Sequence, residues 1–222
     1  MGDYSIDNSL LHTTDYRARF NTVLYLKNFY SGVDKDPNEA PLVAFFLEHC
    51  TRIMQDERNR FGNRKALESS KEKRLEWESR LRAALCRGGL SACDVNDPNW
   101  PVLSGKSNDY DIIFRSLCLE AACLTIEIFN ETIRRLVRLL KPGGLLLLVM
   151  VRNESFYYVD KEKFFCLPLN EAKVENALHA TGELMDIHID SSDTTVEDQE
   201  RNTMSNFDGE MIIHAYKTKN IE

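Results

Sequence analysis

Three short stretches carry side chains suited to holding a small polar ligand: Asp94-Val95, Ser116 to Ala122, and Arg152 to Tyr158. Each follows a segment that reads as a β-strand, and in an open parallel sheet ligands bind beyond the carboxyl ends of the strands. A carboxylate such as Asp94 accepts hydrogen bonds from an amine or from sugar hydroxyls. Ser116 and the small residues after it leave room for a flat ring. Each signal alone is weak, because Asp and Ser are common in loops. Other chemistries find no support. The six cysteines include no C-x-x-C pair and the five histidines no H-x3-H spacing, so a structural zinc site is not expected, and buried reduced thiols are. None of the ten glycines forms G-x-G, and Gly88-Gly89 precedes a strand rather than following one, which makes it a turn and not a phosphate cradle.

Four helices and five strands are predicted to position these stretches. Residues 38–54 form the first helix, with Asn38 as cap, Pro41 in the first turn, and Leu42, Phe45, Phe46, His49 and Ile53 at helical spacing. His49 on that face reads as a packed core histidine. Residues 65–86 form a charge-rich surface helix with a thin apolar stripe, Leu67, Trp77, Leu81, Ala84 and Leu85. A strand at 90–95 and another at 110–115 precede a strong helix over 125–140, whose buried stripe is Phe129, Ile133, Leu136, Val137 and Leu140. Pro142-Gly143-Gly144 stops it. Leu145 to Val151 is apolar without alternation, as in a strand covered on both faces, and is not expected at a sheet edge. A helix over 170–180, capped by Asn170, and strands at 184–191 and 211–217 complete the pattern, with the acidic Ser192–Asp208 loop between the last two. The rhythm implies a mostly parallel sheet with helices on its faces, an α/β fold.

Composition narrows the classes. With 222 residues, 43% of them apolar and 28% charged, the chain has an ordinary globular mix. The net charge of −7 and pI near 5.4 argue against nucleic acid as a partner. The seven-residue run Leu145–Val151 is far below the roughly 20 residues of a membrane helix. The polar N-terminus lacks a signal-peptide pattern, and Ile6 breaks the myristoylation pattern. A cytoplasmic monomer with no membrane partner is expected. The chain from Arg52 to Arg87 is net basic, and Glu183 to Glu210 strongly acidic. Such runs are most often solvated faces.

Three motifs in order carry a family resemblance: Ser116-Leu-Cys-Leu-Glu-Ala-Ala-Cys123, Leu139-Leu-Lys-Pro-Gly-Gly144 and Phe164-Phe-Cys-Leu-Pro-Leu169. Together they resemble the nicotinamide, phenylethanolamine and indolethylamine (thioether) N-methyltransferase family. Tyr16-Arg-Ala-Arg-Phe-Asn and Tyr25-Leu-Lys-Asn-Phe-Tyr30 look like that family's N-terminal lid, and Cys93-Asp94-Val95 matches its C-D-V. The resemblance implies a Rossmann-like domain over 55–217 behind a lid and first helix over 1–54, with a tail at 218–222. It also implies S-adenosylmethionine as cofactor and a small amine or aromatic nitrogen heterocycle as methyl acceptor. By the family pattern, Tyr25 and Tyr30 would cover the methionine end of the cofactor, Asp94 and Val95 would contact adenine, and Ser116 would lie near the methionine moiety. Tyr158 and Cys166 would line the acceptor pocket. Simple packing is the alternative reading for the two tyrosines.

Two departures accompany the resemblance. The family's glycine-rich turn and ribose-binding carboxylate fall between the parts matched by Met54 and Arg58, where this chain has only a few residues. Two strands and two helices need on the order of 60 residues. The sheet is therefore expected to be incomplete, with apolar surface left open on its N-terminal side, and the cofactor to bind weakly. Val151 stands where some relatives carry an acceptor-recognising carboxylate, while Cys166 resembles the indolethylamine and thioether branch. A different class of reading also follows: a catalytically inactive truncated member or splice form that acts, if at all, by association.

Overall fold

A computed structural model describes residues 93–99, 110–195 and 204–219, together with Ala83. Tyr25, Tyr30, the lid, helix 38–54, the cysteines Cys50 and Cys86, all of helix 65–86 except the helical Ala83, and the 90–92 part of the first strand lie outside the described residues. The elements in chain order are β1 (Tyr110–Ser116), α1 (Leu119–Ala122), α2 (Ile126–Leu139), β2 (Leu140–Arg152), β3 (Phe156–Val159), β4 (Glu162–Phe165), α3 (Glu171–His179), β5 (Leu184–Asp193) and β6 (Gly209–Lys217).

The described strands make a four-stranded sheet in the order β1-β2-β6-β5 and a separate β3-β4 hairpin. β1 runs parallel to β2, while β6 is antiparallel to both β2 and β5. The mostly parallel sheet read from the rhythm is thus corrected to a mixed one. β2 and β5 are parallel to each other, and α3 forms part of the connection between them, as parallel strands require. The chain then returns through the acidic loop and inserts β6 between them, which only an antiparallel strand can do without a second crossover.

Leu145–Val151 lies inside the sheet, not at its edge, and every residue of it is buried. Leu146, Leu148 and Met150 face a core shared with Phe129, Ile133, Leu136 and Val137 of α2 and Val174, Ala177 and Leu178 of α3. Leu145, Leu147 and Val149 point the other way, into a second cluster with Ile212 and Tyr216. The missing alternation has this cause: both faces are covered, so both sets of side chains are apolar. Burying each large side chain contributes about 1.5–3 kcal/mol before entropy is subtracted.

Local signals set the helix starts. The Thr125 hydroxyl accepts from the Ile128 N–H at 3.3 Å, and the Asn170 side chain accepts from the Lys173 N–H at 3.0 Å. The end of α2 differs from expectation. Leu140 already turns extended, and Lys141 to Gly144 form an irregular opening of β2, across which the register against β1 jumps from Tyr110–Leu140 to Ile112–Leu145. Gly143 is left-handed (φ +79°) there, and a Cβ on Gly144 would sit 2.9 Å from the Lys141 carbonyl oxygen. The two glycines shape that opening rather than cap the helix. Cys93–Val95 form no strand, contrary to the 90–95 expectation, but a turn-rich loop. Of the described cysteines, Cys123 and Cys166 are buried, Cys118 is half-buried and Cys93 is exposed, which corrects the expectation of uniformly buried thiols; all four are free.

Part of the acidic run is tied down at Arg152, the last residue of β2. Its guanidinium pairs with Asp208 (2.6 Å), Glu171 (3.0 Å) and Asp193, and Asp208 also accepts from the Asn153 amide at 2.8 Å. These hydrogen bonds, Asp208 first, raise the Arg152 pKa. Burial pushes Asp208 up, but the bonds from Arg152 and Asn153 outweigh it and hold the carboxyl below its ordinary value. Arg152→Met would leave three carboxylates facing one another. Because Asp193 is largely exposed, we expect a loss of about 2 kcal/mol rather than the full value of three charged bonds, read by urea denaturation. An unchanged midpoint would show the cluster to be ornamental.

Candidate functional site

The residues after β1 and β2 meet at one end of the sheet. Leu117, left-handed at φ +49°, donates its N–H to the Val149 carbonyl at 2.9 Å and turns the chain sharply into α1. That turn drives Glu120 into the interior, 2% exposed, where its Oε1 accepts from the Val151 N–H at 2.8 Å. The Glu120 carbonyl accepts from the Leu167 N–H at 2.7 Å, which ties the segment after β4 to the same place.

The loop carrying Asp94 and Val95 is fastened to this end. Asn96 donates to the Ala122 carbonyl at 2.8 Å and accepts from the Leu124 N–H at 3.3 Å. Arg135 of α2 donates to the carbonyls of Val95 (3.4 Å) and Asp97 (3.2 Å). One carboxylate oxygen of Asp94 accepts from the Asn96 backbone at 3.0 Å, while the residue itself is exposed. The structure thus brings Asp94, Val95 and the Ser116–Ala122 stretch to one rim. An exposed carboxylate on a pinned loop beside a strand end is suited to accepting hydrogen bonds from a ligand.

Beside Val151 lies a buried pair of carboxyls, Glu120 and Glu154, that sequence reasoning missed. Glu154 is buried, and its Oε2 lies 3.1 Å from the Cys166 Sγ, which donates to it. Burial pushes Glu120 up to about 7 and also raises Glu154. Glu120 is raised further by the nearby charge of Glu154. Burial, then the charge of Glu154, puts the Cys166 thiol well above its usual range, so it is no nucleophile. Cys123 is likewise pushed up to about 12 by burial. Among the described residues, the Glu120 Oε2 is buried without a hydrogen-bond partner, as suits a carboxyl that is neutral over part of the physiological range. Val151 itself cannot recognise a cation, yet two carboxyls flank it: Glu120 on its own N–H and Glu154 three residues further on. The signal for Glu120 was present in L-C-L-E-A-A-C, where an acid stands amid apolar neighbours.

The hairpin was also unread from sequence. It pairs Phe156 with Phe165 and Tyr158 with Lys163, joined by a two-residue Asp160-Lys161 turn with Asp160 at φ +58°. The ladder sets Cys166 beside Ser155, whose carbonyl accepts the Cys166 N–H at 3.0 Å. Tyr158 lies towards the hairpin's far end, with its N–H on the Met204 carbonyl at 2.6 Å. Lys163 stands 4.0 Å from the centre of the Phe156 ring, and Tyr158 meets that ring edge-on. Cys166 therefore belongs with Glu154 and Glu120, and Tyr158 with the aromatic end. No group of His, Cys, Asp and Glu suited to a metal occurs among the described residues. No described helix is long and apolar enough to cross a membrane.

Comparison with known proteins agrees with the motifs. Nicotinamide N-methyltransferase of Sus scrofa is 34% identical over 116 residues, which is 52% of this chain and 43% of that protein. Indolethylamine N-methyltransferase of Oryctolagus cuniculus is 31% identical over 118 residues, covering 52% and 43%. Phenylethanolamine N-methyltransferase of Homo sapiens is 31% identical over 107 residues, covering 47% and 37%. The chain thus spans less than half the length of the curated relatives it matches. A crystal structure of a SAM dependent methyltransferase from Archaeoglobus fulgidus superposes with a TM-score of 0.41 at 15% identity, covering 61% of this chain and 71% of that one. The sequence profile of the NNMT/PNMT/TEMT family matches residues 63–218, and the chain belongs to that family.

Proposed function

We propose that the chain is an S-adenosylmethionine-dependent N-methyltransferase of a small amine or aromatic nitrogen heterocycle, with a reduced cofactor site. The observation that supports it best is the convergence of Asp94, Val95 and Ser116 with the buried Glu120–Glu154–Cys166 group at one end of the sheet. The exposed Asp94 carboxylate and the adjoining Val95 suit the adenosine end of the cofactor, and Ser116 its methionine end. Tyr25 and Tyr30 are proposed as the cover. When bound, the cofactor supplies a methyl group already activated on a sulfonium. Such an in-line displacement asks the protein mainly for positioning and exclusion of water. Burial raises Glu120 and Glu154, and in their ionised forms these two carboxyls would give the acceptor side negative potential that favours a cationic or amide-bearing acceptor. Tyr158 and the Phe156 ring offer it an aromatic wall.

The test is methyl transfer from labelled S-adenosylmethionine to nicotinamide, indolethylamine and phenylethanolamine, the acceptors named for the relatives. The expected result is transfer to at least one of them, at a rate that keeps rising with cofactor into the millimolar range. The absence of the glycine turn favours a second reading, an inactive truncated member acting by association. No transfer by a folded chain across the panel would support that reading over ours.

A further inference from the structure

We propose that Ser205 and Asn206 are positioning residues that hold the Glu154 carboxyl in place on the acceptor side, an assignment that rests on the acceptor site proposed above. Glu154 belongs to no strand. It lies in the short connection from β2, which ends at Arg152, to β3, which begins at Phe156. Asn153 before it is left-handed at φ +57° and donates its N–H to the Leu169 carbonyl at 2.7 Å. A connection of this kind keeps its shape only through bonds from other segments, because its backbone groups must still find partners.

Residues 204–208, which lead into β6, supply those bonds in turn along the connection. The Asp208 N–H donates to the Arg152 carbonyl at 3.1 Å. The Asn206 Oδ1 accepts from the N–H groups of Ser155 (3.0 Å) and Phe156 (3.3 Å), and its Nδ2 donates to the Ser155 hydroxyl at 2.9 Å. Two N–H donors on one oxygen leave a single orientation for that amide. Ser205, which is buried, bonds through its hydroxyl to the Glu154 carboxylate. The Met204 carbonyl accepts from the Tyr158 N–H at 2.6 Å. Ser205 thus addresses the carboxyl itself, and Asn206 the backbone that carries it. Asn206 is exposed, so its bonds serve the connection and not the core. The two residues act on Glu154 in opposite senses. The Ser205 hydroxyl favours the ionised carboxylate, whereas the Asn206 anchor preserves the burial that disfavours it. Among the described residues, the other ionisable groups near Glu154 are Cys166, after β4, and Glu120 of α1.

Carbon-13 NMR of the full 222-residue chain, labelled at its glutamate carboxyls, tests this without any substrate. The Glu154 signal is the one lost in Glu154→Gln. Ser205→Ala should raise the Glu154 titration midpoint by about one pH unit, because a donor to the charged form is gone. Asn206→Ala lets the connection loosen and water enter, so it should lower the midpoint by about as much. Asn206→Asp keeps an oxygen for both N–H groups and should bring the midpoint back to within about 0.3 pH unit of wild type. A merely structural weakening would move both alanine variants the same way. In methyl transfer, Asn206→Ala should raise the acceptor KM roughly tenfold with kcat held within about threefold, and Asn206→Asp should restore it. A wild type that transfers no methyl group overturns the function proposed above, and the titration then decides the positioning by itself. Circular dichroism establishes that each variant is folded; should one alanine variant fail to fold, the other decides together with Asn206→Asp. A Glu154 midpoint unmoved by the alanine variants, a shift of the same sign in both, no recovery in Asn206→Asp, or an acceptor KM indifferent to Asn206→Ala in an active chain would each overturn the proposal.

Discussion

Titration calorimetry of this chain with S-adenosylhomocysteine should show no micromolar binding. The cofactor presents a charged amino acid end, a sulfonium or thioether centre, a ribose and an adenine, and each needs its own polar partner. In the proposed site only Asp94, Val95 and Ser116 are available, for the adenine and part of the methionine end. The glycine turn that lets backbone approach the methionine end, and the acid that takes the ribose hydroxyls, have no counterpart in the sequence around Met54 to Arg58. A charged hydrogen bond is worth about 1.5–3 kcal/mol, so loss of the ribose carboxylate alone weakens binding roughly 10- to 150-fold. Loss of the turn should cost at least as much again, because it removes the floor beneath the ligand. Asp56 and Glu57 are near in sequence, but no strand-like run precedes them to aim either at the site. Micromolar affinity would mean that another part of the chain supplies both functions.

A second large effect is expected in the pH dependence of stability. In the unfolded chain Glu120 titrates near 4.5, whereas burial holds it near 7 in the fold. Between these values the folded state keeps a proton that the unfolded state has lost, so stability falls as pH rises from about 4.5 to 7 and levels off above. The size of the fall is on the order of 3 kcal/mol. Glu154, also raised by burial, acts in the same direction. Asp208 and Glu171 act oppositely: their carboxyls are held below the ordinary value, so the stability they give is present at neutral pH and is lost only as pH falls through those lowered values. The two effects occupy separate windows. Glu120→Gln keeps an oxygen for the Val151 N–H and removes the charge. It should stabilise the chain by about 1–3 kcal/mol at pH 8, change little at pH 4.5, and flatten the profile by half or more. Urea denaturation from pH 4.5 to 8.5 reads this directly. A wild type whose stability is level or rises across that range would show that Glu120 is ionised and satisfied in the fold.

Much of the scaffold was legible before any coordinates. Thr125 and Asn170 cap their helices because a side-chain oxygen needs only the N–H three residues on, an interaction contained in one helical turn. Phe129, Ile133, Leu136 and Val137 are buried because their spacing returns them to one face of α2. The unbroken apolar run of β2 announced a strand covered on both sides. The Asp160-Lys161 turn between Phe156–Val159 and Glu162–Phe165 was readable on the same local terms, but each run has only four residues and its alternation was too short to stand out.

What the sequence could not order was the meeting of distant segments. The bond from the Val151 N–H to Glu120 spans 31 positions, that from Cys166 to Glu154 spans 12, and Arg152 reaches Asp193 and Asp208 across 41 and 56. Such pairs depend on which strands become neighbours, and that choice is made by closing long loops around a common core rather than by any local preference. The insertion of β6 between β2 and β5, which turned an expected parallel sheet into a mixed one, is decided in the same way. Family, strands and caps are properties of the residue order; the buried Glu120–Glu154 pair beside Val151 exists only once the sheet has formed, because only then does burial give those carboxyls their charge state.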